Sequence, residues 1–221
     1  MRTVSHIEDT IRFLASLHFP VVVRCSSQPG AVVDAARSGV VSVINGGNNV
    51  DHPSQAMLDL YTLRSELGSV DGIKIAVMGR VDHRNVNALL MAFTLYQDVE
   101  VILAPFNTQA NPEVIEFCVG SRLRITVQTD LELVASELDA VYWNWADTSA
   151  HVQLVKERNW SQVAADEGFL HRLDSRCVIL NSTQRTDLLK VDTTIPRCAG
   201  YRQAENGLFA RMAMFLEFLG Y

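Results

Sequence analysis

Composition and charge exclude several classes of protein at once. The chain has 221 residues, and its 19 Lys plus Arg against 25 Asp plus Glu give a formal net charge of −6. With 48% hydrophobic and 20% charged residues, it is a folded globular chain rather than a disordered one. It has neither the basic balance that nucleic acid binding requires nor an apolar run of roughly 18 residues, so we expect neither a nucleic acid nor a membrane as partner.

The N-terminus and the cysteines indicate the compartment. The first nine residues contain no apolar signal core, so we expect a cytoplasmic protein. No two cysteines have C-x-x-C spacing, and no His lies beside one at zinc-ligand spacing. We therefore expect free thiols and no bound metal. The cysteines are Cys25, Cys118, Cys177 and Cys198.

The first part of the chain predicts two strands among three helices. Apolar residues three and four positions apart indicate the helices, and β-branched runs indicate the strands. Pro53 suits the first turn of the third helix, which follows a loop rich in Asn and Gly. We predict helices at residues 9–17, 31–37 and 53–67, and strands at 21–24 and 40–44.

Beyond a hinge at residues 68–72, helical and β-rich segments alternate regularly. This alternation predicts a parallel, doubly wound sheet with helices on both faces. Such sheets bind ligands at the carboxyl ends of their strands. We predict strands at 73–78, 99–104, 123–128, 140–143 and 177–180, and helices at 85–96, 112–119, 131–136 and 206–219.

His52 and Gln55 form the first candidate site, at a junction between a loop and a helix. A His before Pro53 is disfavoured within a helix, so its ring projects from the loop. Gln55 lies in the first turn, where backbone N–H groups are free. Together these donors could polarise a carbonyl oxygen. In the alternative interpretation, Asp51 caps the helix and His52 is merely exposed.

Two arginines follow predicted strands. Arg84 opens a helix, where a carboxylate or phosphate is favoured; the alternative is a solvated charged loop. Only Gly79 remains of a G-x-G-x-x-G pattern, so we expect no dinucleotide and no other cofactor. Arg24 ends the first strand and could hold an anion over the sheet edge, unless it pairs with a carboxylate such as Asp59.

Two tryptophans follow the strand predicted at residues 140–143. Trp143 and Trp145 could line an apolar pocket, as aromatic side chains at a strand end often do. Packing in the core explains them equally well.

A continuous segment carries a family resemblance. Residues 45–63 read Asn-Gly-Gly-Asn-Asn-Val-Asp-His-Pro-Ser-Gln-Ala-Met-Leu-Asp-Leu-Tyr-Thr-Leu. They resemble the aspartate/ornithine carbamoyltransferases, whose hallmark is a Gly-rich loop followed by His-Pro-Thr-Gln-Ala-Leu-Leu-Asp-Leu-Tyr-Thr. Residues 22–24, 73–79 and 203–211 resemble further segments of that family, so the resemblance covers nearly the whole chain. It is closer to the aspartate branch.

The resemblance implies an α/β fold of two parallel-sheet domains of the carbamoyltransferase type. The first, reduced, domain would be a carbamoyl-phosphate type at residues 1–67 plus 197–221. The second would be an amino-acid-binding type at residues 68–196, with a doubly wound five-stranded sheet. The family forms trimers with sites at subunit interfaces. Since only two strands are predicted in the first domain, their edges would be unpaired, and we expect a homo-oligomer, either a trimer or a dimer, that covers this surface.

The resemblance also implies roles for particular residues. In the family, residues matching Arg24, His52 and Gln55 hold carbamoyl phosphate, chiefly its carbonyl, and the residue matching Arg84 holds the substrate carboxylate. We take His52 and Gln55 as catalytic candidates. The substrate-binding candidates are Arg24, Arg84, Trp145, Asn181 and Arg185.

The sequence departs from the family at several positions. Its 221 residues contain no Ser-x-Arg-Thr-Arg phosphate loop, because the family's N-terminal portion has no counterpart in them. No Lys lies at residues 3–5, where the resemblance would bring the catalytic lysine loop. The family's Arg-x-Gln aligns with residues 145–147, and its His-Pro-Leu-Pro loop with residues 181–184. Arg185 and Asp187 match the residues that follow.

These departures leave two interpretations of function. Losing one charge-assisted donor costs about 2.7–4 kcal/mol of barrier, so we expect ordinary aspartate transcarbamoylation to be negligible for this chain alone. The first interpretation is an enzyme retooled for a small carboxylate or amide metabolite, by a cyclisation, lyase or acyl- or carbamoyl-transfer step in a specialised biosynthetic pathway. The alternative is a catalytically inactive pseudoenzyme that binds a ligand or acts as an assembly subunit. The joint presence of Arg24, His52, Gln55 and Arg84 favours the first.

Overall fold

The structure is a computed structural model that describes residues 6–106, 108–128, 130–144, 167–181 and 194–221. Within these ranges it contains seven α-helices, seven β-strands and two 3₁₀ turns. The helices are α1 (His6–Ser16), α2 (Ala31–Arg37), α3 (Pro53–Leu67), α4 (Arg84–Phe93), α5 (Pro112–Gly120), α6 (Glu167–Arg172) and α7 (Gly200–Leu219). The strands are β1 (Val21–Arg24), β2 (Ser42–Asn45), β3 (Lys74–Gly79), β4 (Glu100–Pro105), β5 (Arg124–Val127), β6 (Ala140–Asn144) and β7 (Val178–Asn181).

The larger sheet is parallel, with the strand order β5-β4-β3-β6-β7. Strands β3, β6 and β7 and most of β4 are buried on both faces, which is why their sequences read as continuous apolar runs, whereas the edge strand β5 is largely exposed. Two neighbours in β6 mark the two faces, since Trp143 packs in one apolar cluster and Tyr142 in the other. The predicted fold class, an α/β protein with parallel sheets, is confirmed.

The smaller sheet consists of β1 and β2, which pair in parallel. Its register places Val21 opposite Ser42 and Arg24 opposite Asn45, so the carboxyl ends of both strands lie at the same edge. Among the described residues, no third strand joins these two. The loops that follow the two strands therefore start side by side.

Helix α3 follows the smaller sheet in the chain and packs on the rest of the molecule. It packs against α4 and α7, and its Leu63 is fully buried in the apolar cluster on one face of the larger sheet. Near its carboxyl end, Glu66 accepts hydrogen bonds from the guanidinium of Arg202 in α7, with 2.8 Å between Nη2 and Oε2. These contacts hold α3 against α7 and the larger sheet.

Several predicted elements have different bounds in the structure. The last helix begins at Gly200 rather than at residue 206, because its first turns bury the polar Gln203 and the side-chain-free Gly207, which carry no apolar periodicity. The helix predicted at residues 131–136 is two 3₁₀ turns, Leu131–Leu133 and Ala135–Glu137. Helix α6 was not predicted.

The division into residues 1–67 plus 197–221 and residues 68–196 stays a prediction. In the part of the chain that the structure describes, no helix combines the length and the apolar character that crossing a membrane requires.

Candidate functional site

Three loops converge at the carboxyl ends of β1, β2 and β3. The backbone N–H of Ser26, after β1, donates to the carbonyl of Gly47, after β2, at 2.9 Å. From the first residue of α4, just beyond the loop after β3, the Arg84 guanidinium Nη1 donates to the carbonyl of Asn48 at 2.8 Å. Backbone and side-chain hydrogen bonds thus hold the candidate site together from both sheets.

His52 stands at the N-cap position of α3, with a non-helical backbone and no side-chain cap. Its ring lies against Gly47, where an added Cβ would be only 2.9 Å from the ring Cδ2. Gly47 also has φ +116°, a region that favours glycine. The ring Nδ1 is 3.3 Å from the hydroxyl of Ser54. The loop therefore needs glycine at position 47 to give the imidazole its place.

Burial and neighbouring positive charges disfavour the protonated imidazole of His52. Its pKa is lowered to about 4, first by burial and then by the positive charges of Arg84 and Arg211, with a smaller effect of His83. Burial and the charges of Arg80 and Arg84 lower the pKa of His83 as well. Two guanidinium groups on different helices thus act on one ring, and His52 and Arg84 share one electrostatic environment.

The side chain of Gln55 is held in place by a buried carboxylate. Its amide Nε2 donates to Oδ1 of Asp59 at 2.9 Å, one helical turn further along α3. Asp59 is fully buried, and the same Oδ1 accepts a 2.6 Å hydrogen bond from Nε2 of Gln203 in α7. Burial raises the pKa of Asp59 to about 7, against the opposing effect of hydrogen bonds from Gln203, Tyr142 and Gln55.

Arg24 makes no ion pair with Asp59, although both residues are described. Asp59 is therefore not the partner of Arg24, because it accepts from two glutamine amides in the interior. The Nε atom of Arg24 is buried and has no hydrogen-bond partner among the described residues. A buried guanidinium N–H without a partner carries a desolvation cost, which an anionic ligand would offset.

The remaining predicted site residues fall into three groups. Trp143 is buried in the core of the larger sheet, so the pocket-wall interpretation is wrong for it and core packing is confirmed. Asn181 ends β7, and its backbone N–H donates to Oε1 of Gln203 at 2.9 Å. Trp145 and Arg185 lie outside the described residues. The structure thus brings together His52, Gln55 and Arg84 and connects Asn181 to them through the interior.

Sequence reasoning gave no role to Arg211 and Gln203, although both lie in the segment that resembles the family. Arg211 bends back so that its Nη1 donates to the carbonyl of Gly207 at 2.9 Å. An added Cβ on Gly207 would lie 2.7 Å from that nitrogen. A glycine four residues before an arginine in a helix is a usable signal for such a folded-back guanidinium.

No metal site accompanies this cluster within the described ranges. There, no group of three or more His, Cys, Asp or Glu side chains is arranged to hold a metal ion. The polar side chains at the strand ends are instead those of arginine, histidine and glutamine.

The fold and the cluster define a class: an open parallel α/β protein whose polar side chains gather where such sheets bind ligands. The sequence profile described as "Aspartate/ornithine carbamoyltransferase, carbamoyl-P binding domain" matches residues 2–65. The catalytic subunit of aspartate carbamoyltransferase from Pyrobaculum islandicum is 32% identical over 213 residues, which cover 94% of this chain and 69% of the relative. The chain belongs to the aspartate/ornithine carbamoyltransferase family.

Other relatives agree with this assignment. The chloroplastic aspartate carbamoyltransferase of Arabidopsis thaliana is 31% identical over 214 residues, which cover 94% of this chain and 55% of that protein. Among solved structures, aspartate transcarbamoylase from Trypanosoma cruzi in complex with N-(phosphonacetyl)-L-aspartic acid superposes with a TM-score of 0.85 at 28% identity. That match covers 96% of this chain and 69% of the other. The chain spans little more than half the length of the plant relative.

Proposed function

We propose that this protein is an aspartate carbamoyltransferase-like enzyme that acts on a small carboxylate or amide metabolite. The observation that carries the proposal is the convergence of the half-buried His52 ring, Gln55 and the Arg84 guanidinium on the loops at the carboxyl ends of β1, β2 and β3. A neutral ring can donate an N–H to an acyl oxygen, while guanidinium groups favour a carboxylate beside it. The reaction would be a cyclisation, a lyase step or an acyl or carbamoyl transfer.

In this proposal the arginines bind anionic oxygens of the ligand, and His52 polarises its carbonyl group. Arg84 would pair with a ligand carboxylate, and the buried, unpartnered Nε of Arg24 would donate to a second anionic oxygen. Because the pKa of His52 is about 4, its imidazole would act at neutral pH as a hydrogen-bond donor to the carbonyl rather than as a cationic acid. Gln55 would contact the same planar group from the first turn of α3.

A second candidate is a catalytically inactive ligand-binding or assembly subunit. It is favoured by the residues that align with two substrate-binding segments of the family, residues 145–147 and 181–184, which keep neither Arg-x-Gln nor His-Pro-Leu-Pro. Such a protein would bind the same small carboxylates but leave them unchanged.

Further parts of the proposal concern assembly, domains and location. We infer a homo-oligomer, a trimer or a dimer, in a cytoplasmic setting, with the domain division predicted above. Apolar side chains exposed on α7 support the inferred assembly; they are Leu208, Phe209, Met212 and Leu216.

Calorimetric titration tests the binding step. The ligands are succinate and N-carbamoyl-L-aspartate, and the proteins are the wild type, Arg84→Ala, His52→Ala and a control, Arg176→Ala. The control removes an arginine whose side chain is 90% exposed and pairs only with its neighbour Asp174. We expect Arg84→Ala to weaken carboxylate binding by about tenfold or more, as expected for a charge-assisted hydrogen bond, and Arg176→Ala to leave it unchanged.

Turnover separates the two candidates. Incubation with a panel of small dicarboxylates and their amides, followed by NMR, should reveal a product that depends on His52 if the protein is an enzyme. Binding that depends on Arg84 without any turnover would favour the ligand-binding subunit. Equal affinities of the wild type and Arg84→Ala for both ligands would contradict both candidates.

A further inference from the structure

A continuous chain of hydrogen bonds runs from the end of β7 to the first turn of α3. It starts at the backbone N–H of Asn181, which donates to Oε1 of Gln203 at 2.9 Å. Gln203 Nε2 donates to Oδ1 of Asp59 at 2.6 Å, and Nε2 of Gln55 donates to the same oxygen at 2.9 Å. Helices α3 and α7 therefore meet at one buried carboxylate, and Gln203 connects that carboxylate to the end of β7.

This chain of hydrogen bonds has a fixed direction. A backbone N–H can only donate, so the Gln203 amide must present its carbonyl oxygen to Asn181 and its NH₂ group to Asp59. An ionised carboxylate can only accept, so Gln55 must also present its NH₂ group to Asp59. The oxygen and nitrogen of a glutamine amide have nearly the same shape, and only such a network decides between them.

The fixed direction determines which Gln55 atom remains for a ligand. Oε1 of Gln55 has no hydrogen-bond partner among the described residues, and the Gln55 side chain is only partly buried. Its Nε2 is already used inside the protein. A ligand that approaches α3 beside His52 therefore meets an acceptor, not a donor, at Gln55.

The environment of Asp59 keeps its carboxylate available as an acceptor for both glutamines. Asp59 is fully buried, and Tyr142 of β6 lies close enough to lower its pKa against the effect of burial. If the carboxyl group takes up a proton on Oδ2, Oδ1 still accepts from both glutamines, so the direction of the network is kept in either state.

We propose that Asp59 is a positioning residue that, together with Gln203, sets the orientation of the Gln55 amide from the backbone of β7. Asp59 itself touches no ligand. It makes Gln55 select a group that carries an N–H, and it does so through the network alone. The choice of ligand rests on the proposed function, whereas the network exists in the ligand-free protein.

The first experiment needs no ligand. Solvent exchange of side-chain amide protons is measured by ¹⁵N NMR for Gln55, assigned with a Gln55→Leu variant, and for the exposed Gln97 as a reference. We expect exchange of the Gln55 protons to be slower than that of the Gln97 protons in the wild type and in Asp59→Asn. In Asp59→Asn the asparagine carbonyl takes the place of Oδ1. Equal exchange of Gln55 and Gln97 in the wild type would overturn the proposal.

The second experiment reads the orientation of Gln55 through a matched pair of probes. N-carbamoyl-L-aspartate carries a terminal NH₂ where N-acetyl-L-aspartate carries a methyl group. We expect the wild type and Asp59→Asn to prefer the carbamoyl probe by about three- to tenfold, the range of one net hydrogen bond. In Asp59→Ala the ratio should fall below about twofold, since Gln55 is then free to turn.

The outcomes distinguish positioning from a merely structural role. If the role of Asp59 were merely structural, Asp59→Ala would bind both probes more weakly by the same factor, and the ratio of the two affinities would be unchanged. That result would overturn the proposal. If Asp59→Ala does not fold, two other measurements test the proposal. They are the amide exchange rates of the wild type and the ratio of the affinities of Asp59→Asn for the two probes. If neither probe binds the wild type, the proposed function fails, and the exchange measurement alone decides the role of Asp59.

Discussion

Gly47 illustrates how a single residue shapes the candidate site. It combines a positive φ with the close approach of the His52 ring, whereas Gly68, at the end of α3, has a positive φ and no atom within 4 Å of an added Cβ. Comparing substitutions at Gly47 and Gly68 therefore distinguishes the cost of backbone strain from the cost of steric contact with the His52 ring. Both features at position 47 arise because the loop must turn sharply between β2 and α3.

We expect Gly47→Ala to lower the free energy of unfolding by more than Gly68→Ala, which should cost about 1–2 kcal/mol of backbone strain. The additional loss comes from the displaced imidazole. Urea denaturation measures the first effect, and the NMR titration of His52 measures the second, because a displaced ring should have a pKa closer to its ordinary value. Equal losses for the two variants would show that the ring does not constrain position 47.

Asp59 should make stability depend on pH. Its pKa is about 7 in the folded protein and near 3.8 ordinarily, so the folded state retains a proton that the unfolded state has lost between these values. The free energy of unfolding should therefore fall as the pH rises through this interval, by up to about 1.4 kcal/mol per pH unit, and level off above it.

Comparison with Asp59→Asn isolates this contribution, because the variant lacks the titrating group and keeps the shape. The difference in unfolding free energy between variant and wild type should grow from pH 5 to pH 7. His52 titrates in both proteins and cancels in the difference. A difference that is constant with pH would contradict the protonation of Asp59 in the folded state.

Among the elements, α3 contributes most to the site. Its first turn carries His52 and Gln55, while its later turns bury Leu63 against the larger sheet. Packing at one end of the helix thus positions the polar groups at the other end.

Leu63→Ala should destabilise the protein by about 2–5 kcal/mol, since it leaves a cavity in a fully buried position. The matched control is Leu95→Ala, because Leu95 is 81% exposed and its truncation should change stability by less than about 0.5 kcal/mol. Thermal or urea denaturation measures both. A small loss for Leu63→Ala would mean that α3 is not held by its packing on the sheet.

At the scale of the whole molecule, a broad apolar surface is exposed. Leu208, Phe209, Met212 and Leu216 on α7 are each about half exposed, and Phe13 on α1 and Leu17, just after it, are exposed as well. An apolar surface of this kind on a folded chain commonly marks an interface. The predicted homo-oligomer would cover it.

Light scattering tests the assembly. We expect a dimer or a trimer for the wild type, and a shift toward the monomer for Met212→Glu, which places a charge in the α7 surface. Phe117→Glu is the control, because Phe117 on α5 is similarly exposed but lies on a different helix. A monomeric wild type in dilute solution would contradict the prediction.

Local patterns in the sequence were sufficient for much of the fold. The bounds of β1, α2 and α3 agree with the predicted ones, because β-branched runs, apolar spacing and Pro53 act over a few residues. The start of α7 was missed because buried polar and glycine residues carry no apolar period. Likewise, Trp143 could not be assigned to core or pocket until the packing of its strand was known.

The sequence by itself determined the family, the alternation of strands and helices, and the placement of His52, Gln55 and Arg84 at strand ends. Only the tertiary structure decided what surrounds them: the burial of Asp59, its bond to Gln203, and the approach of Arg211 to His52. Asp59 and Gln203 are 144 residues apart along the chain. Periodicity specifies which side of an element faces the interior. It does not specify which distant polar group contacts that side, because this depends on the packing of all the elements together.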